Sequence, residues 1–181
     1  MMNKKFLQQW SKIMYSFFDY LPCKYEATRQ EWRTRKFIWD FKDGKNPLSV
    51  AEMVARQIRK QFGAQCDKIC FACIPAHSAE ANETRYKTFS AEVCRLTGAA
   101  NAYDAIHVSG SRLAIHEHNT QKDVRKVEVI DFDQDFFKGK KVLVFDDILT
   151  RGYSYANFAC ELERFGAQVL GGFFLGRTLL K

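Results

Sequence analysis

Apolar residues along the chain form two alternating kinds of pattern. Short unbroken apolar runs occur at 68–74 (KICFACI) and 142–145 (VLVF), and such runs are typical of strands buried on both faces of a parallel sheet. Over 47–62 and 84–96 the apolar residues instead recur at helical spacing, and each stretch ends close to a glycine. This alternation predicts an α/β fold, a doubly wound and mainly parallel sheet with helices on both faces.

The remaining elements are predicted from weaker patterns. Residues 3–18 place apolar side chains on one helical stripe and predict a docking helix. Residues 23–36 are polar and basic, which is usual for a solvated face and also allows an anion contact. We therefore divide the chain into an N-terminal helical or hood segment, 1–36, and a core domain, 37–181. Further strands are predicted at 37–41, 103–108, 127–132 and 168–175.

The stretch 140–154 (KKVLVFDDILTRGYS) carries the candidate chemistry. The strand at 142–145 runs into Asp146 and Asp147, and a loop then leads to a predicted helix from about Ser154 to Phe165. In open α/β sheets ligands bind beyond the carboxyl ends of the strands, which is where this loop would emerge. A glycine-containing turn before a helix N-terminus offers unpaired N–H groups and the positive end of the helix dipole. The loop is therefore a candidate anion site.

The two carboxylates need a different group from the phosphate that such a loop would hold. Vicinal sugar hydroxyls or a Mg²⁺ ion would satisfy them, and a ribose 5-phosphate presents phosphate and hydroxyls together. The alternative is an ordinary buried strand with a solvated acidic end. Other phosphate motifs are missing, because the chain contains neither G-x-x-x-x-G-K-[ST] nor G-x-G-x-x-G, so a P-loop nucleotidase and a Rossmann dehydrogenase have no support.

This stretch resembles the signature of type I phosphoribosyltransferases, in which a buried strand ends in two acidic residues followed by Thr-x-Gly-x-Ser/Thr. The resemblance implies that Asp146 and Asp147 are the catalytic residues, contact the ribose hydroxyls of phosphoribosyl diphosphate (PRPP) and are the Mg²⁺ ligands. It also implies a set of residues around the 5-phosphate. These are Leu149, Thr150, Arg151, Gly152, Tyr153 and Ser154.

Over about 37–177 the order of motifs is similar to the ComF-like branch of that family. The matching segments are IWDFKDGK, IPAHS, RYKTF and the signature itself. By this resemblance the diphosphate is bound by Ala76, His77, Ser78, Ala79 and Arg85, although His77 also reads as a hydrogen-bonded loop residue and Arg85 as a helix start. We do not expect the N-terminal zinc module usual in that branch, because Cys23 is the one cysteine in this part of the sequence.

The polar segment 109–126 lacks a clear period, and a loop of this length inside a compact domain is more often functional than idle. By the same resemblance it corresponds to a mobile lid, with Arg112 and Lys122 as its candidate basic contacts.

Composition narrows the choice of ligands and compartment. The net charge of +7 favours anionic ligands without selecting one, so PRPP and nucleic acid both suit it, and PRPP is the favoured one. Six cysteines in a chain this apolar do not form a disulfide framework, and we expect a reduced, cytoplasmic protein. Cys66, Cys70 and Cys73 have a spacing that invites a metal, but they are better explained as small core residues. No apolar run is long enough to span a membrane.

We therefore expect a phosphoribosyltransferase that binds PRPP and Mg²⁺ and transfers ribose 5-phosphate to a nitrogenous small-molecule acceptor, releasing diphosphate. We also expect a homodimer. The alternative is a non-catalytic PRPP-sensing or nucleic-acid-binding protein on the same fold, since fold does not fix function. The acceptor pocket would discriminate between them, and no aromatic or amide-bearing hood is identifiable in the sequence.

Overall fold

The structure is a computed structural model that describes residues 4–114 and 125–179, with side chains described for 4–109 and 130–179. A π-helical segment lies at Glu83–Lys87, and short 3₁₀ segments lie at Gly63–Lys68 and Tyr103–Ala105. In chain order the elements are α1 (Lys4–Trp10), β1 (Ile13–Tyr20), α2 (Arg29–Lys42), α3 (Pro47–Phe62), β2 (Ile69–Cys73), α4 (Ala79–Asn82), α5 (Thr88–Thr97), β3 (Ala100–Asn101), β4 (Ile106–Ala114), β5 (Arg125–Phe132), α6 (Gln134–Phe137), β6 (Lys141–Leu149), α7 (Tyr153–Arg164) and β7 (Gln168–Thr178).

The central sheet has five parallel strands in the order β1-β7-β6-β2-β3. Strands β4 and β5 form a separate antiparallel pair, so part of the predicted loop 109–126 is strand, and 115–124 lie outside the described residues. In β6, Leu143 and Phe145 pack into a core cluster shared with α2, α3 and α5. Val142 and Val144 pack into a second cluster, shared with α6 and α7. Helices therefore cover both faces, and the predicted α/β fold is confirmed.

The predicted helix over 3–18 is wrong beyond residue 10, where β1 takes the place of its second half. Strand β1 forms the edge of the sheet and pairs in parallel with β7, with Ile13 opposite Gly171. Aromatic and β-branched side chains favour strands, and the segment IMYSFFDY is rich in them. The helical spacing of Phe6, Trp10, Ile13 and Phe17 was coincidental in its second half.

The predicted strand at 37–41 is also wrong, because these residues form the second half of α2. A capping box starts that helix: Glu31 donates its N–H to the Thr28 hydroxyl, and the Glu31 carboxylate accepts from the Thr28 N–H at 2.7 Å. The predicted domain boundary between residues 36 and 37 falls inside this helix. Nor is the basic run simply solvated, because buried Arg35 donates hydrogen bonds to the carbonyl oxygens of Leu21, Pro22 and Tyr25.

Glycines let β1 approach β7. Gly171 has φ of 151°, and a Cβ there would overlap the carbonyl oxygen of Ile13 and lie 2.7 Å from its Cβ. A side chain at residue 171 is excluded by the backbone of Ile13, which cannot move without breaking the hydrogen bonds between β1 and β7. Gly171, which weakens the strand signal of 168–175, is therefore required by the neighbouring strand β1.

We predict that Gly171→Ala lowers the free energy of unfolding by about 3 kcal/mol, because it overpacks a site bounded by backbone. Urea denaturation measures this, and hydrogen exchange should show lost protection of the amides in β1. The matched control is Gly139→Ala, where φ is 74° but nothing lies within 4 Å of the new Cβ. It should cost only about 1 kcal/mol of left-handed strain. Equal costs at the two sites would contradict the close approach of β1.

Candidate functional site

The carboxyl ends of β2, β6 and β7 meet at one edge of the sheet, because these neighbouring strands are parallel. Ile74, which follows β2, donates its N–H to the carbonyl oxygen of Phe145 at 2.9 Å. The segment after β2 and the segment that begins at Asp146 are therefore neighbours. This is the placement that the sequence predicts for the two candidate binding loops.

The loop between β6 and α7 surrounds a cavity of about 260 Å³. Gly152 is left-handed, with φ of 77°, and precedes the twelve-residue helix α7. Its carbonyl oxygen accepts the first helical hydrogen bond, from the N–H of Ala156 at 2.9 Å. Asp146 and Ile148 to Tyr155 line this cavity, so it brings one predicted carboxylate together with every residue predicted for the 5-phosphate.

Gly152 is also required by a contact that the sequence did not reveal. The indole Nε1 of Trp10 donates a hydrogen bond to the Gly152 carbonyl oxygen at 3.1 Å, and a Cβ on Gly152 would lie 2.7 Å from that nitrogen. The ring of Trp10 also packs edge-on against Tyr153, with ring centroids 5.7 Å apart. Through these two contacts of Trp10, helix α1 fixes the turn that contains Gly152.

The two adjacent carboxylates have different surroundings. Asp147 is only 6% exposed, and its Oδ2 lies 2.5 Å from Nη1 of Arg85, in the π-helical segment. Its Oδ1 lies 3.7 Å from Nζ of Lys42, at the end of α2. Asp147 therefore already lies beside two cations within the protein, and its ion pair with Arg85 joins the π-helical segment to β6.

Asp146 lines the cavity instead, and its Oδ1 accepts the N–H of Asp147 at 2.8 Å. Burial, followed by the negative charge of Asp147, raises the pKa of Asp146 from 3.8 to about 8, although Lys42 and Arg85 act in the opposite direction. This carboxyl is short of donors in the free protein. A ligand that brings hydroxyl groups or a cation would supply them.

The loop after β2 is shaped by its own hydrogen bonds. Buried Ala76 donates its N–H to Oδ1 of Asn82 at 3.0 Å, and the Ser78 hydroxyl caps α4 by accepting from the N–H of Ala81 at 3.1 Å. His77 and Ala79 are exposed. Within the described part of the chain, the N–H groups of His77 and Ser78 have no backbone acceptor. Both N–H groups are therefore available to a ligand.

Arg85 is the predicted diphosphate residue whose placement is most informative, because it is held at Asp147. The predicted lid contacts are not located: Arg112 lies in β4 but its side chain is outside the described part, and Lys122 lies outside the described residues altogether. Cys66, Cys70 and Cys73 are free thiols buried in the core, and burial raises the pKa of Cys70 to about 12. Among the described residues no group of three metal-ligating side chains occurs.

Four residues at this edge were missed by sequence reasoning. Lys42 entered the sequence analysis only within the segment IWDFKDGK, and Tyr86 only within RYKTF. Tyr86 is fully buried, its hydroxyl has no partner among the described residues, and burial together with Asp147 and Asp146 raises its pKa. Asn82 and Trp10 carry no motif, and the hydrogen bonds that define their roles join residues that only the fold brings together.

No protein-family model and no curated protein matches this chain. Among solved structures it is similar to the crystal structure of a purine phosphoribosyltransferase from Pyrococcus horikoshii Ot3. The match covers 91% of this chain and 87% of that one, with 11% sequence identity and a TM-score of 0.41. A likeness at this level carries no argument about function, which has to come from the site. No helix in the described part of the chain is long and apolar enough to cross a membrane.

We predict that Asp147→Asn lowers the free energy of unfolding by about 3 kcal/mol, because it leaves the charge of the largely buried Arg85 side chain, 13% exposed, unpaired. Asp40→Asn is the matched control, since Asp40 pairs with the exposed Lys36 at 2.6 Å and such surface pairs contribute at most about 1 kcal/mol. Chemical denaturation of both variants measures the difference. If Asp147→Asn were as mild as Asp40→Asn, the ion pair with Arg85 would not be structural.

Asp146→Asn should act in the opposite direction, and its effect should depend on pH. The pKa of Asp146 in the folded protein is raised from 3.8 to about 8. Between these two pH values, Asp146 therefore keeps its proton in the folded protein and loses it in the unfolded chain. The contribution of Asp146 to stability is therefore full below pH 3.8 and falls until about pH 8. The variant should gain stability relative to the native protein across this window.

Melting temperatures recorded across this pH range test the prediction, with Asp135→Asn, at an exposed acid, as the control. A constant difference between Asp146→Asn and the native protein at every pH would contradict the raised pKa.

Proposed function

We propose that the protein is a phosphoribosyltransferase that binds PRPP with Mg²⁺ and transfers ribose 5-phosphate to a nitrogenous acceptor, releasing diphosphate. The observation that carries this proposal is one cavity in which an anion-binding turn and a donor-poor carboxyl, Asp146, face the same space. A ribose 5-phosphate has a phosphate for the first and hydroxyl donors for the second.

The phosphate would lie at the N-terminus of α7. The first N–H groups of a helix have no partner within it, and here they follow the left-handed Gly152. Ser154 is exposed on the first turn and adds a hydroxyl donor. The Thr150 hydroxyl is 3.0 Å from that of Thr178, which leaves Thr150 able to donate to a ligand when Thr178 donates to it. Exposed Arg151 adds positive charge.

The ribose hydroxyls would be bound by Asp146. A hydroxyl that donates to a carboxylate stabilises its charged form, so the ligand corrects the shortage of donors that raises the pKa of Asp146. Sequence analysis gave this role to both acidic residues. We now propose it for Asp146, with Asp147 as a positioning residue that holds Arg85.

Mg²⁺ fits this site only as an ion shared with the substrate. It usually binds through one or two carboxylates plus substrate phosphates, and Asp146 is the carboxyl left unpaired by protein cations. Bound there, it would neutralise charge on the departing diphosphate. The open N–H groups of His77 and Ser78 support a role for the loop after β2 in binding that diphosphate. The negative charge of Asp146 would offset positive charge developing on the sugar ring.

We predict that PRPP with Mg²⁺ binds at neutral pH and releases up to one proton, because Asp146 is largely protonated in the free protein and ionised when the ribose hydroxyls donate to it. Calorimetric titration in two buffers of different ionisation enthalpy measures the proton count. Asp146→Asn should bind at least about tenfold more weakly, a loss of about 1.4 kcal/mol, and release no proton. Asp135→Asn should behave as the native protein.

Binding without proton release would remove Asp146 from the ribose contact, and no binding at millimolar PRPP would contradict the whole proposal. Turnover separates the transferase from the non-catalytic, PRPP-sensing alternative. A screen of nucleobases and small amines with PRPP and Mg²⁺ should give diphosphate release with at least one acceptor. Binding of PRPP with no release for any acceptor would favour the alternative.

A further inference from the structure

A second cavity adjoins the loop between β6 and α7. It has a volume of about 310 Å³, and it shares Leu149 to Gly152 with the first cavity. Its remaining wall comes from Trp10, Met14 and Arg177, on α1, β1 and β7. Asp146 does not line it. We call it the Trp10 cavity.

The wall of the Trp10 cavity is held in place by polar contacts between α1 and α7. Gln9 donates from Nε2 to Oε2 of Glu163 at 2.6 Å, and Lys12 forms an ion pair with Oε1 of the same residue at 2.5 Å. The Trp10 indole is fixed by its hydrogen bond to Gly152. The aromatic wall is therefore present before any ligand arrives, which lowers the cost of binding.

The charge of the cavity is positive. Arg151 and Arg177 are both exposed, and neither forms an ion pair with the residues that the structure describes. Asp19 is opposite Arg177 in the ladder but does not approach within ion-pair distance of it. Guanidinium groups match the oxygen pairs of carboxylates and phosphates and also stack on aromatic rings.

The lining has an apolar part and a basic part, so it favours a ligand with both an apolar ring and a negative charge. Trp10 offers an aromatic surface, and Met14 a flexible apolar one that adapts to a ring. The indole N–H is already used by Gly152, so it does not select for a polar ring substituent. Among the described residues that line this cavity there is no carboxylate to bind sugar hydroxyls, and this separates it from the cavity proposed for PRPP.

We propose that the Trp10 cavity binds a small aromatic anion, with its ring against Trp10 and Met14 and its carboxylate or phosphate monoester at Arg177. Binding does not require PRPP, so this site is additional to the transferase site. Because the two cavities share the loop 149–152, a ligand here also contacts the turn that would hold the 5-phosphate.

Calorimetric titration with phenyl phosphate, benzoate, benzamide and inorganic phosphate tests the proposal without PRPP. We expect phenyl phosphate or benzoate to bind at millimolar concentration or below. Benzamide, which lacks the charge, and inorganic phosphate, which lacks the ring, should each bind at least about tenfold more weakly. The comparison of the two anions decides between a carboxylate and a phosphate ligand.

Arg177→Gln should weaken binding of the aromatic anion about tenfold and leave the thermal shift caused by PRPP unchanged. Arg56→Gln, at an exposed arginine on α3, is the matched control and should bind as the native protein. PRPP should not displace the aromatic anion. A failure of the PRPP proposal alone would leave these results unaffected.

Three results would overturn the inference: equal binding of benzoate, phenyl phosphate and their neutral or ringless counterparts, unchanged affinity in Arg177→Gln, or displacement of the aromatic anion by PRPP. The last would show that the Trp10 cavity belongs to the PRPP site.

Discussion

The ion pair between Asp147 and Arg85 is the contact on which the candidate site depends. It joins the end of β6 to the π-helical segment between α4 and α5, where one extra residue per turn changes the direction of the side chains. Next to Arg85, Tyr86 is fully buried against Phe145 of β6, with ring centroids 6.4 Å apart. The ion pair therefore lies next to the aromatic core, at the end of β6.

The same ion pair explains why two neighbouring aspartates differ. Asp147 lies beside both nearby cations. Burial, followed by the negative charge of Asp147, raises the pKa of Asp146. The Asp147 carboxylate has its partners within the protein, whereas the Asp146 carboxyl lines the cavity and lacks hydrogen-bond donors there. A strand that ends in two identical residues thus provides one structural group and one group available for a ligand. A sequence motif that treats the pair as equivalent cannot express this division.

The β6-loop-α7 unit was predictable from sequence because its signals are local. An unbroken apolar run, a glycine before an amphipathic helix and the acidic pair all lie within 25 residues, from 142 to 166, and the structure places them as expected. Two of the wrong predictions, a helix over 13–18 and a strand at 37–41, concern short apolar stretches in which the spacing of apolar residues alone does not distinguish helix from strand. Sheet pairing with Gly171 and the capping box at Thr28 settled them. The roles of Arg85 and Trp10 were not predictable, because their partners are 62 and 142 residues away and only the fold brings them together. The partner of Asn82 is only 6 residues away, but no sequence motif marks that contact.

The central claim is that Asp146 is the carboxyl kept for the ligand, and carbon-detected NMR titration of the aspartate side chains tests it most directly. In the free protein the account predicts that the Asp146 carboxyl titrates near pH 8, and that saturating PRPP with Mg²⁺ moves its midpoint down toward the ordinary 3.8. An Asp146 signal that titrates near 3.8 in the free protein and does not move with ligand would contradict the account.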